Sequence, residues 1–309
     1  MAGPAGAGRR AGDAVRAGAR GLRTHEALSV RPAVRGPFRQ VDVFTDRPLL
    51  GNPVAVVHDA SGLSDDDMQA FARWTNLSET TFLLPPTRPD ADYRLRIFTP
   101  SGELPFAGHP TLGSAHAWLE AGGEPASADL VQECGVGLVP VRRTAGRLAF
   151  AAPDLLRSGP VDEALVALIA DALGIGVADV VDAEWIDNGP GWVGVLLSSA
   201  EAVLALQPDF SRMPGDVGVA GPYPDGSECA VEVRAFSPLD SGVTEDPVTG
   251  SLNASLAQWL AGRVLPASYV ASQGTALGRR GRVYVETDDA GVIWVGGDTL
   301  TTVEGTLSL

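Results

Sequence analysis

Downstream of residue 37 the hydrophobic positions alternate between two rhythms. Val41 and Val43 are separated by polar neighbours, the period of a half-buried strand, and Val54–Val57 forms a second strand after a turn rich in Gly, Asn and Pro. Ser64-Asp65-Asp66-Asp67 reads as a helix start with acids in its first turn. Met68, Phe71, Ala72 and Trp74 or Thr75 follow at helical spacing, and Asn76 closes the helix. Ser78–Leu84 reads as a loop entering a strand, and Tyr93–Phe98 as another strand. After a loop at Ala121–Ala128 come short strands around Val131, Leu138–Val141 and Leu148–Phe150. A helix over Val161–Leu173 carries Leu165, Leu168, Ile169 and Leu173 on one face, and Trp192–Leu197 reads as a buried strand. Ser199–Leu206 is a short helix and Cys229–Phe236 a strand. The chain closes with strands near Tyr269–Ser272, Arg282–Glu286, Val292–Val295 and Leu300–Thr306. Many strands and few helices predict the α+β class in two domains, 38–155 and 156–309, with a last strand able to cross back to the first domain.

One stretch, Arg96–Leu119, is echoed by Arg234–Leu256. Both open Arg-x-Phe, then Thr or Ser, then Pro. Both close Pro-x-x-Gly-Ser-x-x-Ala, at Pro110, Gly113, Ser114, Ala117 and at Pro247, Gly250, Ser251, Ala254. The match predicts a duplication, each copy a strand, a loop and a helix that begins at proline, whose missing N–H costs nothing there. His109 and Asp246 are then the expected N-caps. Small residues in both first turns leave N–H donors open at the positive end of the helix dipole, which suits a carboxylate or a developing enolate. A two-fold relation between the halves would bring both helix starts to one cleft.

Composition narrows the chemistry. The 309 residues suffice for two domains, and no apolar run approaches the ~18 residues of a membrane span. A formal charge of −15 argues against nucleic acid and against an anionic membrane surface as partners. Every one of the 23 basic residues is arginine. Without lysine there is no Schiff base and no P-loop cation. Cys134 and Cys229 are too few for a disulfide framework, and the chain is expected to be cytoplasmic. Residues 1–37, with seven arginines and two acids, are expected to be a disordered N-terminal extension.

The segments FRQVDVFT, LLGNPVAVV, NLSETTF, RIFTPSGELPFAGHPTLGSA, GVTEDPVTGSLNASLAQWL and SQGTALGRRGRVYV together resemble the PhzF-like, phenazine-biosynthesis family from about Phe38 to the C-terminus. The resemblance implies the diaminopimelate-epimerase-like fold: two pseudo-symmetric domains, each a highly curved sheet or barrel around a central helix, with the active site between them. It also implies a homodimer, no cofactor and no metal.

Glu79 sits among hydroxyls (Ser78, Thr80, Thr81) directly before the apolar Phe82-Leu83-Leu84. It is either a solvated carboxylate or one drawn toward low dielectric, able to exchange protons near neutrality. By resemblance it is the acid–base residue that moves a proton between substrate carbons. His109 reads as a cap or turn residue, and Asp246 before Pro as a cap; the resemblance puts both in the active site, with Ser251 contacting substrate. Ser78 joins them as a binding candidate, and Gly108 and Gly250 permit close backbone approach. His109 and His116, seven residues apart, lack a carboxylate at metal-site spacing. Neither cysteine falls at a helix start, which disfavours a two-thiol racemase. The expected function is a cofactor-independent isomerase of a small carboxylate-bearing metabolite, similar to trans-2,3-dihydro-3-hydroxyanthranilate isomerase. The alternatives are an epimerase or racemase of an amino-acid derivative and a metabolite-binding protein without catalysis.

Overall fold

The computed structural model describes Gly3, Val34–Thr144, Gly146–Ser237 and Glu245–Leu309. The expected extension at 1–37 falls mostly outside these residues. Its last positions do not: β1 spans Arg35–Val43, three residues earlier than the expected start at Phe38. The ten-residue C-terminal strand supplies the reason, since it pairs with β1 all the way back to Arg35.

The first half continues as β2 (Asn52–Val57), α1 (Asp65–Thr75), β3 (Thr80–Leu84), β4 (Tyr93–Phe98), β5 (Glu103–Leu104), α2 (Gly108–Glu120), β6 (Leu130–Cys134), β7 (Gly137–Thr144) and β8 (Arg147–Ala151). Then come β9 (Arg157–Pro160), α3 (Glu163–Leu173), β10 (Val180–Asp187), β11 (Val193–Leu197), α4 (Ala200–Ala205) and β12 (Val217–Pro222). The chain ends with β13 (Val231–Phe236), β14 (Glu245–Asp246), α5 (Gly250–Leu260), β15 (Tyr269–Gln273), β16 (Gly281–Thr287), β17 (Ile293–Gly297) and β18 (Thr299–Ser308). Local signals set many of these ends. Ser64 and Asp67 form a reciprocal capping box at the start of α1, and Asn76 closes that helix in the left-handed region, φ 54°. Trp74, expected on the apolar face of α1, is instead 79% exposed and stacks on Phe71.

The strands repeat one topology. In the first half β1–β2, β3–β4, β4–β5, β6–β7 and β7–β8 pair antiparallel, while β2–β3 and β4–β6 pair parallel across α1 and α2. In the second half β10–β11, β12–β13, β13–β14, β15–β16 and β16–β17 are antiparallel, while β11–β12 and β13–β15 are parallel across α4 and α5. β9, which follows the first half, adds to β10; β18, which follows the second, adds to β1. The halves join where β8 pairs antiparallel with β17, placing Phe150 opposite Val295. Tracing the registers outward from each central strand makes those two residues equivalents. A residue that pairs with its own equivalent lies on a two-fold axis, so the sheet carries an internal pseudo-two-fold.

That register corrects the sequence echo. Phe98 pairs with Glu103 as Phe236 pairs with Glu245. Glu103 is therefore the mate of Glu245, and Pro105 the mate of Pro247, five residues before the proline that the sequence match selected. The expected caps fall with it. α2 starts at Gly108 after Ala107, which puts His109 inside the first turn; α5 starts at Gly250 after Thr249, which leaves Asp246 on β14. The duplication also recurs in side chains. Arg96 holds Glu103 in a two-pronged pair at 2.8 and 2.7 Å, and Arg234 holds Glu245 at 2.9 and 2.8 Å. Each guanidinium also lies 5.0 Å from the ring of the next phenylalanine on its strand.

α2 and α5 are the buried central helices, with core residues from both halves packed around them in one hydrophobic cluster. Their starts touch on the axis. A Cβ on Gly108 would lie 3.2 Å from the Gly250 Cα and 2.6 Å from Phe150 Cζ, so only glycine allows this approach.

Candidate active site

Where α2 and α5 meet, the halves enclose a cavity of about 840 Å³. Ser78, Glu79, Gly108, His109, Asp246, Gly250 and Ser251 all line it. Each arrives from a defined element: Ser78 and Glu79 from the turn before β3, Gly108 and His109 from the first turn of α2, Asp246 from β14, Gly250 and Ser251 from the first turn of α5. Neither Ala107 nor Thr249 caps its helix with a side chain. The first turns of both helices thus line the cavity without side-chain caps on their N–H groups.

The polar chemistry concentrates on three groups. Glu79, with a side chain only 15% exposed, has its pKa pushed up to about 8, first by desolvation and then by the negative charge of Asp246. Burial lowers His109 to about 3, a hydrogen bond to the Pro53 backbone opposing the shift, so the ring is neutral. Burial raises Asp246 to about 6, although hydrogen bonds from Thr249 and Asn52 favour its charged form. Near neutrality the trio is a protonated Glu79, a neutral His109 and an ionised Asp246.

The proton positions follow by counting. Asn52 Nδ2 has two protons and two acceptors at 2.9 Å, Asp246 Oδ1 and the Val248 carbonyl. His109 Nδ1, 3.4 Å from the same nitrogen, finds no third proton there. Nδ1 therefore carries the ring proton and donates it to the Pro53 carbonyl, leaving Nε2 as a lone pair. That lone pair lies 3.3 Å from Glu79 Oε2, and neither buried atom has a hydrogen-bond partner among the described residues. A protonated Glu79 carboxyl is the donor at hand for it. On the other side, Thr249 Oγ1 donates to Asp246 Oδ2 at 2.5 Å and accepts from Gln273 Nε2 at 2.9 Å.

The phenazine biosynthesis-like (PhzC-PhzF) family matches residues 41–306. The chain belongs to that family. The chain is 39% identical over 258 residues to a trans-2,3-dihydro-3-hydroxyanthranilate isomerase of Pseudomonas aeruginosa, covering 81% of this chain and 90% of that one. It is 37% identical over 290 residues to the Schizosaccharomyces pombe protein called antisense-enhancing sequence 1, covering 87% and 97%. Among solved structures, a PhzF-family protein of Enterococcus faecalis aligns over 89% of this chain and all of its own, at 26% identity and a TM-score of 0.74. A hydroxyproline epimerase from Agrobacterium vitis, 15% identical with a TM-score of 0.54, shares the fold. The chain is thus an isomerase of the PhzF type on an epimerase-like fold. No helix among its described residues is long and apolar enough to cross a membrane.

Sequence reasoning missed several residues of this PhzF-type site. Asn52 reads in the sequence as a turn residue before Pro53, yet it links β2 of one half to Asp246 of the other. Gln273, at the end of β15, accepts from the Thr249 N–H at 3.0 Å and supports the Asp246 loop. Trp192 donates to Ser251 Oγ at 3.2 Å, and Asn188 to the Ser251 carbonyl at 3.0 Å. Such partners lie 24 to 194 positions apart along the chain, and no local pattern marks them. Cys134 and Cys229 are absent from the residues lining the cavity, and burial raises the pKa of both thiols.

Proposed function

We propose that this chain is a cofactor-independent isomerase that moves a proton between two carbons of a small carboxylate-bearing metabolite, with Glu79 as the acid–base group. The observation that carries this reading is the Glu79 carboxyl, desolvated beside a neutral imidazole in the cavity, with its pKa raised to about 8. Raising the carboxyl toward neutrality makes it a stronger base for a carbon acid while part of it remains available as the anion.

In this reading the substrate carboxylate lies against the N–H groups at the starts of α2 and α5, where the helix dipoles also offset charge that develops as the C–H bond breaks. Glu79, as the carboxylate, takes the proton from one carbon and returns it to another along the conjugated system. The second transfer restores the Glu79 carboxylate, so the two together leave the enzyme as it began and the cycle needs no redox partner. His109 Nε2 hydrogen-bonds the protonated Glu79 between the two transfers, and the Pro53 carbonyl keeps the His109 ring in register. The named relative makes trans-2,3-dihydro-3-hydroxyanthranilate the first substrate to test.

The test follows that compound by NMR in heavy water with the wild-type protein and with Glu79→Gln. Isomerisation with isotope change at one ring carbon is expected from the wild type. In the variant turnover falls by roughly 10²–10⁴, the usual weight of a general acid–base group, while binding of the substrate persists. Turnover near the wild-type rate in Glu79→Gln would remove Glu79 from the mechanism. Saturable binding without any isotope exchange in the wild type would favour a binding protein.

A further inference from the structure

The pseudo-two-fold assigns Glu79 a partner. Thr80 pairs with Phe98 and Val217 with Phe236, and the two phenylalanines are equivalents. The residue before Thr80 is Glu79; the residue before Val217 is Asp216. The helix starts meet on the axis, so the two carboxylates flank that meeting point from opposite sides. Both line the cavity.

Their surroundings differ. Glu79 has the imidazole of His109 beside it and feels the charge of Asp246; Asp216 feels Asp187 instead. Burial raises the Asp216 pKa, Asp187 adds to the rise, and a hydrogen bond from Ser237 opposes it. Ser237 Oγ donates to Asp216 Oδ1, and among the described residues no donor reaches Oδ2. Asn188 Oδ1 is a second acceptor, buried and without a partner. Its orientation is fixed, because Nδ2 of the same amide is committed to the Ser251 carbonyl. The Asn188–Trp192 turn and Asp216 occupy one end of the sheet, where the Val193 N–H donates to the Asp216 carbonyl at 2.9 Å. No arginine lines the cavity among the described residues. This wall therefore offers acceptors and negative charge with no cation to match.

We infer that Asp216, with Ser237 and Asn188, is the specificity-determining group that receives an ammonium on the substrate, while the helix starts hold its carboxylate. An ammonium brings three donors and one positive charge, which meets Asp216 Oδ2 and Asn188 Oδ1 and removes the cost of a desolvated carboxylate. The inference deepens the isomerase reading and rests on it for the position of the carboxylate.

Calorimetric binding of 2-aminocyclohexanecarboxylate and cyclohexanecarboxylate, which differ only in the amine, tests it on the intact chain. The wild type is expected to prefer the amino acid roughly tenfold or more, the scale of a charge-assisted hydrogen bond. Asp216→Asn keeps an acceptor for Ser237 and should lose that preference while binding the deaminated acid as before. Asp216→Glu restores the charge and should retain the preference, which separates recognition from a folding defect. Glu79→Gln should retain it too, so loss of the acid–base reading leaves this result readable. An unchanged preference in Asp216→Asn, or no preference in the wild type, overturns the assignment.

Discussion

Glu79 Oε2 and His109 Nε2 face each other at 3.3 Å, and the neutral imidazole leaves the carboxyl to supply the proton between them. At rest Glu79 is an acid, whereas the proposed C–H removal requires its anion. For a substrate that does not itself titrate in this range, kcat/KM should therefore rise by roughly tenfold per pH unit below about 8 and level off above it. A rate constant that is flat between about pH 6 and pH 9 would contradict the raised carboxyl.

The same shift makes a stability claim with a definite sign. The folded chain holds the Glu79 proton up to about pH 8, whereas the unfolded chain releases it near the ordinary 4.5. Between those values the folded state binds more protons, so this group's contribution falls as pH rises through the window, then stays constant above it. Glu79→Gln removes the loss. The variant should gain on the wild type between pH 5 and pH 9 by on the order of a few kcal/mol, read as melting temperatures several degrees apart. A gap independent of pH would show that Glu79 ionises normally.

Asn52 supports Asp246 without joining the proposed proton transfer. Asn52→Ala leaves Asp246 Oδ1 and the buried Val248 carbonyl without their 2.9 Å donor. A loss of about 1–3 kcal/mol per orphaned group is expected on denaturation. Since the Asn52 bond is one of the two side-chain hydrogen bonds that hold Asp246 down, its pKa should climb beyond about 6, and any acid limb of kcat/KM due to Asp246 should move upward with it. Melting and acid limb both unchanged would deny Asn52 this positioning role.

The repeated arginine–glutamate pairs offer a comparison within one chain. Arg234 and Glu245 each keep 6% exposure, and Arg234 also donates to the carbonyls of Val203 and Leu206. Arg96 and Glu103 are 17% and 42% exposed. Arg234→Met strands a buried carboxylate and should cost about 3–5 kcal/mol in urea denaturation. Arg96→Met should cost no more than about 1 kcal/mol, because water screens and solvates the partner it leaves. Equal losses would mean that burial does not distinguish the copies.

Much of this was legible in sequence because it is written in short-range terms. Alternating and helical periods, the Ser64 cap, Asn76 and the echoed Arg-x-Phe and Pro-x-x-Gly segments pointed to the α+β class and the duplication, while the family resemblance pointed to the seven residues that line the cavity. Side-chain identity over a few neighbours decides such features. The register of the repeat was not local. Gly113 is small because its missing Cβ would strike Val54 at 2.3 Å inside the core, whereas Gly250 is small because the start of α2 lies against it. The same letters answer to different contacts, and only strand pairing shows that Pro105, not Pro110, corresponds to Pro247. The exchange of β9 and β18, the reach of Asn52 to Asp246 and the equivalence of Asp216 with Glu79 are likewise set by hydrogen bonds between distant strands. Those bonds exist only once the two halves have closed on each other.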